Sequence, residues 1–167
     1  RKYQIEGVYD ALKHNRKLLI SPTASGKSLM IYSLVRYYVD RGEKILLVVP
    51  TTSLVEQMYK DFEDYGWNVD SYCHRIYSGR EKTNEHPVTI TTWQSVYLQP
   101  KSWFAQFNVI FGDEAHQFKA KSLTTVMEKM DKIRYRVGTT GTLDNKKVHR
   151  LVLEGIFGPM HRVTTTK

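Results

Sequence analysis

Residues 17–28 read KLLISPTASGKS, a short apolar run followed by a small polar loop that ends in Gly-Lys-Ser. The apolar run, Lys17–Ile20, predicts a strand, which Pro22 terminates. The stretch Lys27–Val39 is apolar on most sides and predicts a well-covered helix, which Gly42 ends. A strand, a loop and a helix therefore follow one another near the start of the chain.

The remaining segments repeat this alternation of strand and helix. Apolar, β-branched runs predict strands over Lys44–Val49, Asn108–Phe111 and Arg134–Val137, with Ser71–Tyr77 and Pro87–Thr91 as candidates on either side of a polar loop, Ser78–His86. Apolar residues at helical spacing predict helices over Tyr3–Lys13, Leu54–Phe62, Leu123–Met130 and Val148–Ile156. This order predicts an α/β fold with an open, mostly parallel sheet and helices on both faces. Such sheets bind ligands at the carboxyl ends of their strands.

The composition is that of a basic globular domain. Its 167 residues fit one domain, and a net charge of +8 favours a polyanionic partner such as nucleic acid. A single cysteine, Cys73, excludes an intrachain disulfide, and the longest apolar run, Ile45–Val49, is far shorter than the roughly 18 residues that cross a bilayer. We therefore expect a cytoplasmic protein with no membrane partner. The first residue is Arg1 and not Met, so either the start was processed or the chain is a piece of a longer polypeptide, and we expect the second.

The loop Ser21–Ser28 has the parts of a phosphate-binding loop. Phosphates are held by inward-facing backbone N–H groups at a helix N-terminus, a lysine reaches the outer phosphates, and a hydroxyl holds Mg²⁺. Ser25, Gly26, Lys27 and Ser28 are the predicted nucleotide-binding residues, with Ser28 as the metal-binding hydroxyl. A plain polar turn is the alternative, since Ser21 stands where the general pattern has glycine. We expect removal of the Lys27 amine to abolish nucleotide binding with little effect on thermal unfolding.

Two adjacent acids, Asp113 and Glu114, follow the predicted strand Asn108–Phe111. Unpaired carboxylates at the tip of a buried strand lose hydration, so they need a cation or another partner. Mg²⁺ bound to ATP is such a cation, and Asp113 is the predicted metal ligand. Glu114 is predicted to orient and deprotonate the attacking water. An exposed acidic turn is the alternative for this motif in isolation.

A segment rich in glycine and threonine, Gly138–Thr142, is predicted to form a third loop at the same edge of the sheet. Its hydroxyls and glycines are suited to sensing whether the acidic pair is engaged. By itself the segment is also typical of a simple turn.

Five short motifs resemble, in order, motifs I, Ia, Ic, II and III of superfamily-two helicases and translocases. These motifs are Ser21–Ser28, Val49–Gln57, Thr91–Ser95, Asp113–His116 and Thr140–Thr142. The resemblance implies that residues 1–167 form a RecA-like P-loop NTPase domain, the first of two such lobes in an ATP-dependent motor. In the last motif, Gly141 replaces the alanine that the superfamily usually has between its hydroxyl residues.

Within this superfamily, the Arg-Lys-Tyr-Gln start and the Asp-Glu-Ala-His box are most similar to phage recombination helicases. The likeness implies a DEAH-box enzyme that acts on branched recombination or repair intermediates, with DNA favoured over RNA, in the host cytoplasm if the gene is phage-encoded. Its superfamily completes the active site with an arginine from the second lobe. The fragment alone is therefore expected to bind nucleotide weakly and to hydrolyse it poorly.

The resemblance also implies roles for further residues. Gln4 lies in a segment similar to the Q-motif, whose glutamine reads adenine. His116 is implied as a catalytic residue that joins a coupling network with Thr140 and Thr142, although a structural hydrogen bond is the alternative for this histidine. The nucleic-acid strand in this superfamily crosses motifs Ia and Ic, which implies contacts at Thr51, Thr52, Thr92 and Gln94. Trp93 has two possible roles, stacking on a base or packing beneath the sheet edge.

Two other functional classes stay open from the sequence. One is a P-loop GTPase or small-molecule kinase that does not act on nucleic acid, although Asn145–Val148 lacks the final acid of the guanine-binding pattern Asn-Lys-x-Asp. The other is a passive nucleic-acid-binding module with a vestigial nucleotide site. Comparing ATP with GTP affinity tests the first class, and saturable ATP binding would exclude the second.

Overall fold

A seven-stranded sheet forms the centre of the computed structural model, which describes residues 16–20, 26–77, 85–114, 120–140 and 160–162. In chain order the strands are β1 (Arg16–Ile20), β2 (Ile45–Val49), β3 (Cys73–Ile76), β4 (Val88–Thr92), β5 (Val109–Gly112), β6 (Tyr135–Thr140) and β7 (Met160–Arg162). The helices are α1 (Lys27–Asp40), α2 (Thr52–Asp64), α3 (Val69–Tyr72), α4 (Trp93–Val96), α5 (Lys101–Phe104) and α6 (Ala120–Lys129).

The strand order across the sheet is β3-β4-β2-β5-β6-β1-β7, and every neighbouring pair is parallel. Because all strands run in one direction, their carboxyl ends meet at a single edge. β6 lies between β1 and β5, so the carboxyl ends of β1 and β5 lie on either side of the end of β6. The predicted α/β fold with a parallel sheet is confirmed.

The second strand shows why its sequence is apolar at every position. Ile45, Leu47 and Val49 belong to a hydrophobic cluster on one face of the sheet. Leu46 and Val48 belong to a second cluster on the other face. Successive side chains of a strand point to opposite faces, so a strand covered on both sides needs apolar residues throughout.

Helices cover both faces of the sheet. On one face, α1 and α2 contribute the buried side chains Met30, Ile31, Leu34, Val35, Tyr38, Val55, Met58, Tyr59 and Phe62. On the other face, α4, α5 and α6 contribute Trp93, Val96, Phe104, Val126 and Met127. In the part of the chain that the structure describes, no helix is both long and apolar enough to cross a membrane.

Most of the predicted strands and helices are present, but their first and last residues differ from the predicted ones. The predicted strand Ser71–Tyr77 begins only at Cys73, because Ser71 and Tyr72 end the short helix α3. The three four-residue helices α3, α4 and α5 were not predicted, since one turn is too short to show a helical period. The predicted helices over residues 3–13 and 148–156 and most of the loop 78–86 lie outside the described residues.

The prediction of a loop over Gly138–Thr142 is wrong for its first three residues. β6 extends through Thr140 and pairs on both sides, with Gly138 opposite Gly112 of β5 and Thr139 opposite Leu19 of β1. A central strand gains backbone hydrogen bonds from two neighbours, which outweighs the weak strand propensity of glycine. Residues 141 and 142 lie outside the described residues.

Candidate functional site

The first helix begins at a glycine in the left-handed region. Gly26 is the N-cap of α1, with φ 78° and ψ 36°, a conformation that glycine adopts without steric cost. Its carbonyl accepts hydrogen bonds from the N–H groups of Leu29 and Met30, at 3.1 and 3.3 Å. This turn starts the helix at Lys27, so the lysine and Ser28 lie in its first turn.

The side chain of Lys27 reaches the two acids that follow β5. Its Nζ lies 3.1 Å from Oδ1 of Asp113 and also contacts Oε1 of Glu114. All three residues are buried, with exposed fractions of 8%, 4% and 7%. The ammonium offsets the loss of hydration of the carboxylates, which would be costly without a cation. With all three groups ionised, one negative charge remains in excess, which suits the binding of a further cation.

The backbone at the acidic pair is constrained. The N–H of Asp113 donates to the carbonyl of Val48 at 2.9 Å, which ties the end of β5 to β2. Glu114 has a φ of 51°, and among the described residues it is the one non-glycine residue with positive φ. Non-glycine residues rarely adopt this region, and they concentrate at active sites and ligand clamps. The turn thus holds the Glu114 carboxylate on the Lys27 side of the sheet edge.

A hydroxyl residue of the segment Gly138–Thr142 also contacts the acidic pair, but it is not one of the two that were singled out as coupling residues. Oγ1 of Thr139, which is 1% exposed, donates a hydrogen bond of 2.8 Å to Oδ1 of Asp113. The implied coupling residues were Thr140 and Thr142 instead. Strand pairing offers a signal for Thr139, because Gly112 pairs with Gly138 and the next residues of the two strands are therefore neighbours.

A cleft of about 270 Å³ lies beside these groups. One wall is the start of α1 with the acidic pair, and the other is a face of α2 that was not predicted to line the nucleotide site. The lining residues are Gly26, Lys27, Ser28, Leu54, Gln57, Met58, Asp61, Asp113 and Glu114. The α2 residues recur at three- and four-residue intervals, a signal that was available in the sequence. Nε2 of Gln57 donates to Oδ1 of Asp61 at 2.8 Å, so the α2 wall is polar where these two residues lie.

The predicted metal-binding hydroxyl has a tyrosine as its partner. Oγ of Ser28 lies 2.7 Å from the hydroxyl of Tyr65, which is the C-cap of α2. This contact joins the first turn of α1 to the end of the helix that forms the other wall of the cleft.

The four residues predicted to contact nucleic acid differ in their exposure. Thr51 and Thr52 are exposed at the start of α2, where Oγ1 of Thr51 accepts from the N–H of Leu54 at 3.2 Å. Gln94 is exposed at the start of α4. Thr92 is 3% exposed, and its hydroxyl lies 2.8 Å from Oγ of Ser95. The side chain of Thr92 therefore faces the protein interior, because it lies in a strand covered on both faces.

Several predicted residues lie where their side chains are not described. Thr140 ends β6, but its side chain is not described. Gln4, Ser25, His116 and Thr142 lie outside the described residues.

Trp93 is 6% exposed and packs in the second hydrophobic cluster, so it is a core residue and not a surface for stacking bases.

A family model described as "Type III restriction enzyme, res subunit" matches residues 1–145 of this chain. The chain belongs to this family. Members of the family carry a helicase domain, and the predicted resemblance to superfamily-two helicases is confirmed. The match begins before the phosphate loop and extends beyond motif III, Thr140–Thr142. It therefore includes both Lys27 and the acidic pair that Lys27 contacts.

Individual relatives also support the assignment of this chain to a helicase family. It is 37% identical, over 98% of its length, to the "ATP-dependent DNA helicase uvsW" of Enterobacteria phage T4. It is 28% identical, over 96% of its length, to the "DNA 3'-5' translocase XPB2" of Sulfurisphaera tokodaii. The chain spans 34% of the length of each of these curated relatives.

Comparison with a solved structure establishes the fold of this chain. The crystal structure of the UvsW helicase from bacteriophage T4 matches with a TM-score of 0.88 at 34% sequence identity, covering 97% of this chain and 59% of that one. The fold is therefore that of the first RecA-like lobe of superfamily-two helicases, as predicted.

Proposed function

We propose that this chain is the ATP-binding motor lobe of a nucleic-acid-dependent ATPase that unwinds or translocates on DNA. One observation carries the proposal: the Lys27 amine contacts both Asp113 and Glu114. Lys27 of the phosphate loop and the two acids of the DEAH box thus meet at the edge of the sheet, beside a cleft that Gln57 and Asp61 also line. A vestigial site would have no reason to keep a buried lysine and two buried acids together, since burying charges is costly.

The residues at this site fit a magnesium-bound triphosphate. Ser28 and Asp113 supply the hydroxyl and carboxylate oxygens that Mg²⁺ prefers, and the excess negative charge favours a divalent cation. When bound, Mg²⁺ neutralises charge that develops on the transferring phosphoryl group. Lys27 is placed to exchange its contacts with the acids for the outer phosphates. Thr139 then retains its hydrogen bond to Asp113 and holds the carboxylate in position.

Glu114 is the proposed general base. Its carboxylate lies at the cleft and contacts Lys27, whereas the hydrogen bond of Thr139 goes to Asp113. A glutamate in this position can accept a proton from an attacking water once the lysine has moved to the phosphates. Asp113 and Glu114 are therefore given different roles by their neighbours.

The proposed nucleic-acid contacts lie at the starts of α2 and α4. Exposed hydroxyl and amide groups of Thr51, Thr52 and Gln94 suit phosphate contacts, which position a strand without reading its bases. Thr92 is not proposed as a nucleic-acid contact, because its side chain is buried. The relatives are named as a DNA helicase and a DNA translocase, which favours DNA over RNA. Branched recombination or repair intermediates stay a prediction, as do the cytoplasmic location and the adenine contact of Gln4.

We further propose that residues 1–167 are one lobe of a longer motor and that a second RecA-like lobe supplies the missing arginine. The chain spans about a third of its curated relatives, which supports a multi-lobe protein. Arginine fingers raise turnover by about 10³ to 10⁵-fold, so the lobe alone should bind nucleotide and hydrolyse it slowly. His116, Thr140 and Thr142 are proposed to couple hydrolysis to movement between the lobes.

Titration of the chain with a fluorescent ATP analogue, with and without Mg²⁺, tests the proposal. We expect saturable binding that Mg²⁺ strengthens and that unlabelled ATP reverses. Tighter competition by GTP than by ATP would point to a different P-loop class, and no saturable binding would leave only a passive module. Single-stranded DNA should raise ATP turnover by the full-length protein, and an unchanged rate would contradict a nucleic-acid motor.

A further inference from the structure

Tyr65 is the residue outside the sequence motifs that reaches the proposed metal-binding hydroxyl. The hydroxyl oxygens of Tyr65 and Ser28 are 2.7 Å apart, a normal hydrogen-bond distance between two hydroxyl groups. Tyr65 immediately follows α2, and its N–H donates to the carbonyl of Asp61 at 3.0 Å. Its backbone position is therefore fixed by the helix that lines the cleft.

The ring of Tyr65 is held independently of that hydrogen bond. It packs against the ring of Tyr32, with centroids 5.0 Å apart, and Tyr32 lies one helical turn beyond Ser28 on α1. Tyr32 in turn packs against Phe62, with centroids 5.5 Å apart, and Phe62 is fully buried. Aromatic packing thus places the Tyr65 hydroxyl at Ser28, whether or not the hydrogen bond forms.

The chemistry of a serine ligand explains what such a partner does. A serine hydroxyl that holds a cation uses an oxygen lone pair, so its proton has to point away from the cation toward an acceptor. The Tyr65 oxygen is such an acceptor, and its own proton is free to point elsewhere. Groups that orient a metal ligand in this way typically change metal affinity about 10- to 100-fold when they are removed.

We propose that Tyr65 is a positioning residue for the magnesium site: its oxygen accepts a hydrogen bond from the Ser28 hydroxyl and so turns the serine lone pairs toward the cation. This inference rests on the proposed function, because it requires a magnesium–nucleotide complex at Ser28. It adds a role for a residue at the end of α2 that no motif includes. The proton stays on Ser28 throughout, so the step requires no other reactant.

The test is a magnesium titration of the chain at a fixed concentration of a fluorescent ADP analogue. Tyr65→Phe keeps the ring and its packing on Tyr32 but removes the acceptor oxygen. We expect at least about a tenfold higher Mg²⁺ concentration at half-saturation. Nucleotide binding in excess chelator should be unchanged. Tyr72→Phe is the matched control, since Tyr72 is similarly exposed, stacks on Trp67, and should leave the titration as in wild type.

A double-mutant cycle with Ser28→Ala shows whether Tyr65 acts through the serine. If it does, adding Tyr65→Phe to Ser28→Ala produces no further loss of Mg²⁺ affinity. A further loss of the same size in that background, or a wild-type titration for Tyr65→Phe alone, would overturn the inference and leave the proposed function intact. No saturable nucleotide binding by the wild-type chain would overturn both.

Discussion

The hydroxyl of Thr139 donates a 2.8 Å hydrogen bond to Oδ1 of Asp113, the same oxygen that lies 3.1 Å from Nζ of Lys27. Thr139 belongs to β6, which lies between the strands that lead to the phosphate loop and to the DEAH box. The strand between these two segments thus contributes its own contact to the carboxylate. Asp113 is held from two sides, by a charged group and by a neutral donor.

Thr139→Val should therefore destabilise the chain. The substitution keeps the shape and removes the donor to a buried carboxylate, which costs about 1.5 to 3 kcal/mol for hydrogen bonds to charged groups. Urea denaturation followed by circular dichroism measures the change. Thr139→Ser keeps the hydroxyl and should lose less stability than the valine variant, whereas equal stability of Thr139→Val and wild type would show that the hydrogen bond contributes nothing.

Lys27→Ala should destabilise the chain as well as abolish nucleotide binding. The sequence suggested little effect on unfolding, but the structure shows that Lys27 is the cation between two buried carboxylates. Removing one member of a buried ion pair typically costs about 3 to 5 kcal/mol. Urea denaturation checks this against Lys101→Ala, which removes a pair with Asp131 that is exposed on both sides and should change stability little. Equal midpoints for the two variants would argue against a structural contribution of Lys27.

Glu114→Gln in the full-length protein should retain nucleotide and lose turnover. Glutamine has nearly the same shape but cannot accept the proton of the attacking water, so DNA-stimulated phosphate release should fall by at least about 100-fold. The matched control is Glu63→Gln, which changes an exposed acid at the end of α2. Wild-type turnover by the Glu114 variant would assign the base to another residue.

Thr52→Ala should weaken nucleic-acid binding, whereas Thr92→Ala should lower stability. Thr52 is exposed at the start of α2, so its loss should weaken binding of a labelled single strand, measured by fluorescence anisotropy, with little change in unfolding. Thr92 is buried and contacts Ser95, so its loss should lower stability by about 1 kcal/mol and leave strand affinity unchanged. Weaker strand binding by the Thr92 variant alone would reverse this assignment.

The stability of the chain should fall at alkaline pH. Burial raises the pKa of the Cys73 thiol from 9.0 to about 12, and burial is also the main cause that raises the pKa of Tyr38 from 10.0 to about 12. The folded state keeps protons that the unfolded state loses in this interval. The stabilisation is complete below pH 9 and disappears as the pH rises toward 12.

Urea midpoints measured on both sides of that interval check the sign of the effect. The Cys73 thiol should also resist alkylation in the folded chain and react once the chain is unfolded, because only the thiolate is nucleophilic. A constant midpoint across the interval, or rapid alkylation of the folded chain, would contradict the burial of these groups.

The elements of the fold were largely readable from the sequence because they are set by local patterns. The run Ile45–Val49 indicated a strand buried on both faces, and its side chains do divide between two hydrophobic clusters. The apolar spacing in α1 and α2 likewise indicated helices. The end of β6 was not readable, because Gly138 favours a loop locally, and only pairing with β1 and β5 extends the strand.

The residues of the site likewise divide into those that the sequence identified and those that only the structure shows. Gly26, Lys27 and Ser28 are adjacent in sequence, as are Asp113 and Glu114, so motif and chemistry identified them together. Tyr65 and the cleft-lining face of α2 were missed because each reaches the site through a partner far away in the chain, and for the same reason the sequence did not show that Thr139 is the hydroxyl of its segment that contacts Asp113. The burial of Thr92 was missed for the same reason, since its strand is covered by elements that no local pattern connects to it.

The sequence by itself determined that this protein alternates strands with helices. It also determined that a phosphate loop ending in Lys27 and Ser28, and an acidic pair, each follow an apolar strand. Only the tertiary structure decided that the Lys27 amine meets both acids, that Thr139 holds Asp113 and that Tyr65 reaches Ser28. Local patterns arise from the period of a single strand or helix. The order of parallel strands, and the packing of helices on them, depends on hydrogen bonds and contacts between distant segments, which no single segment encodes.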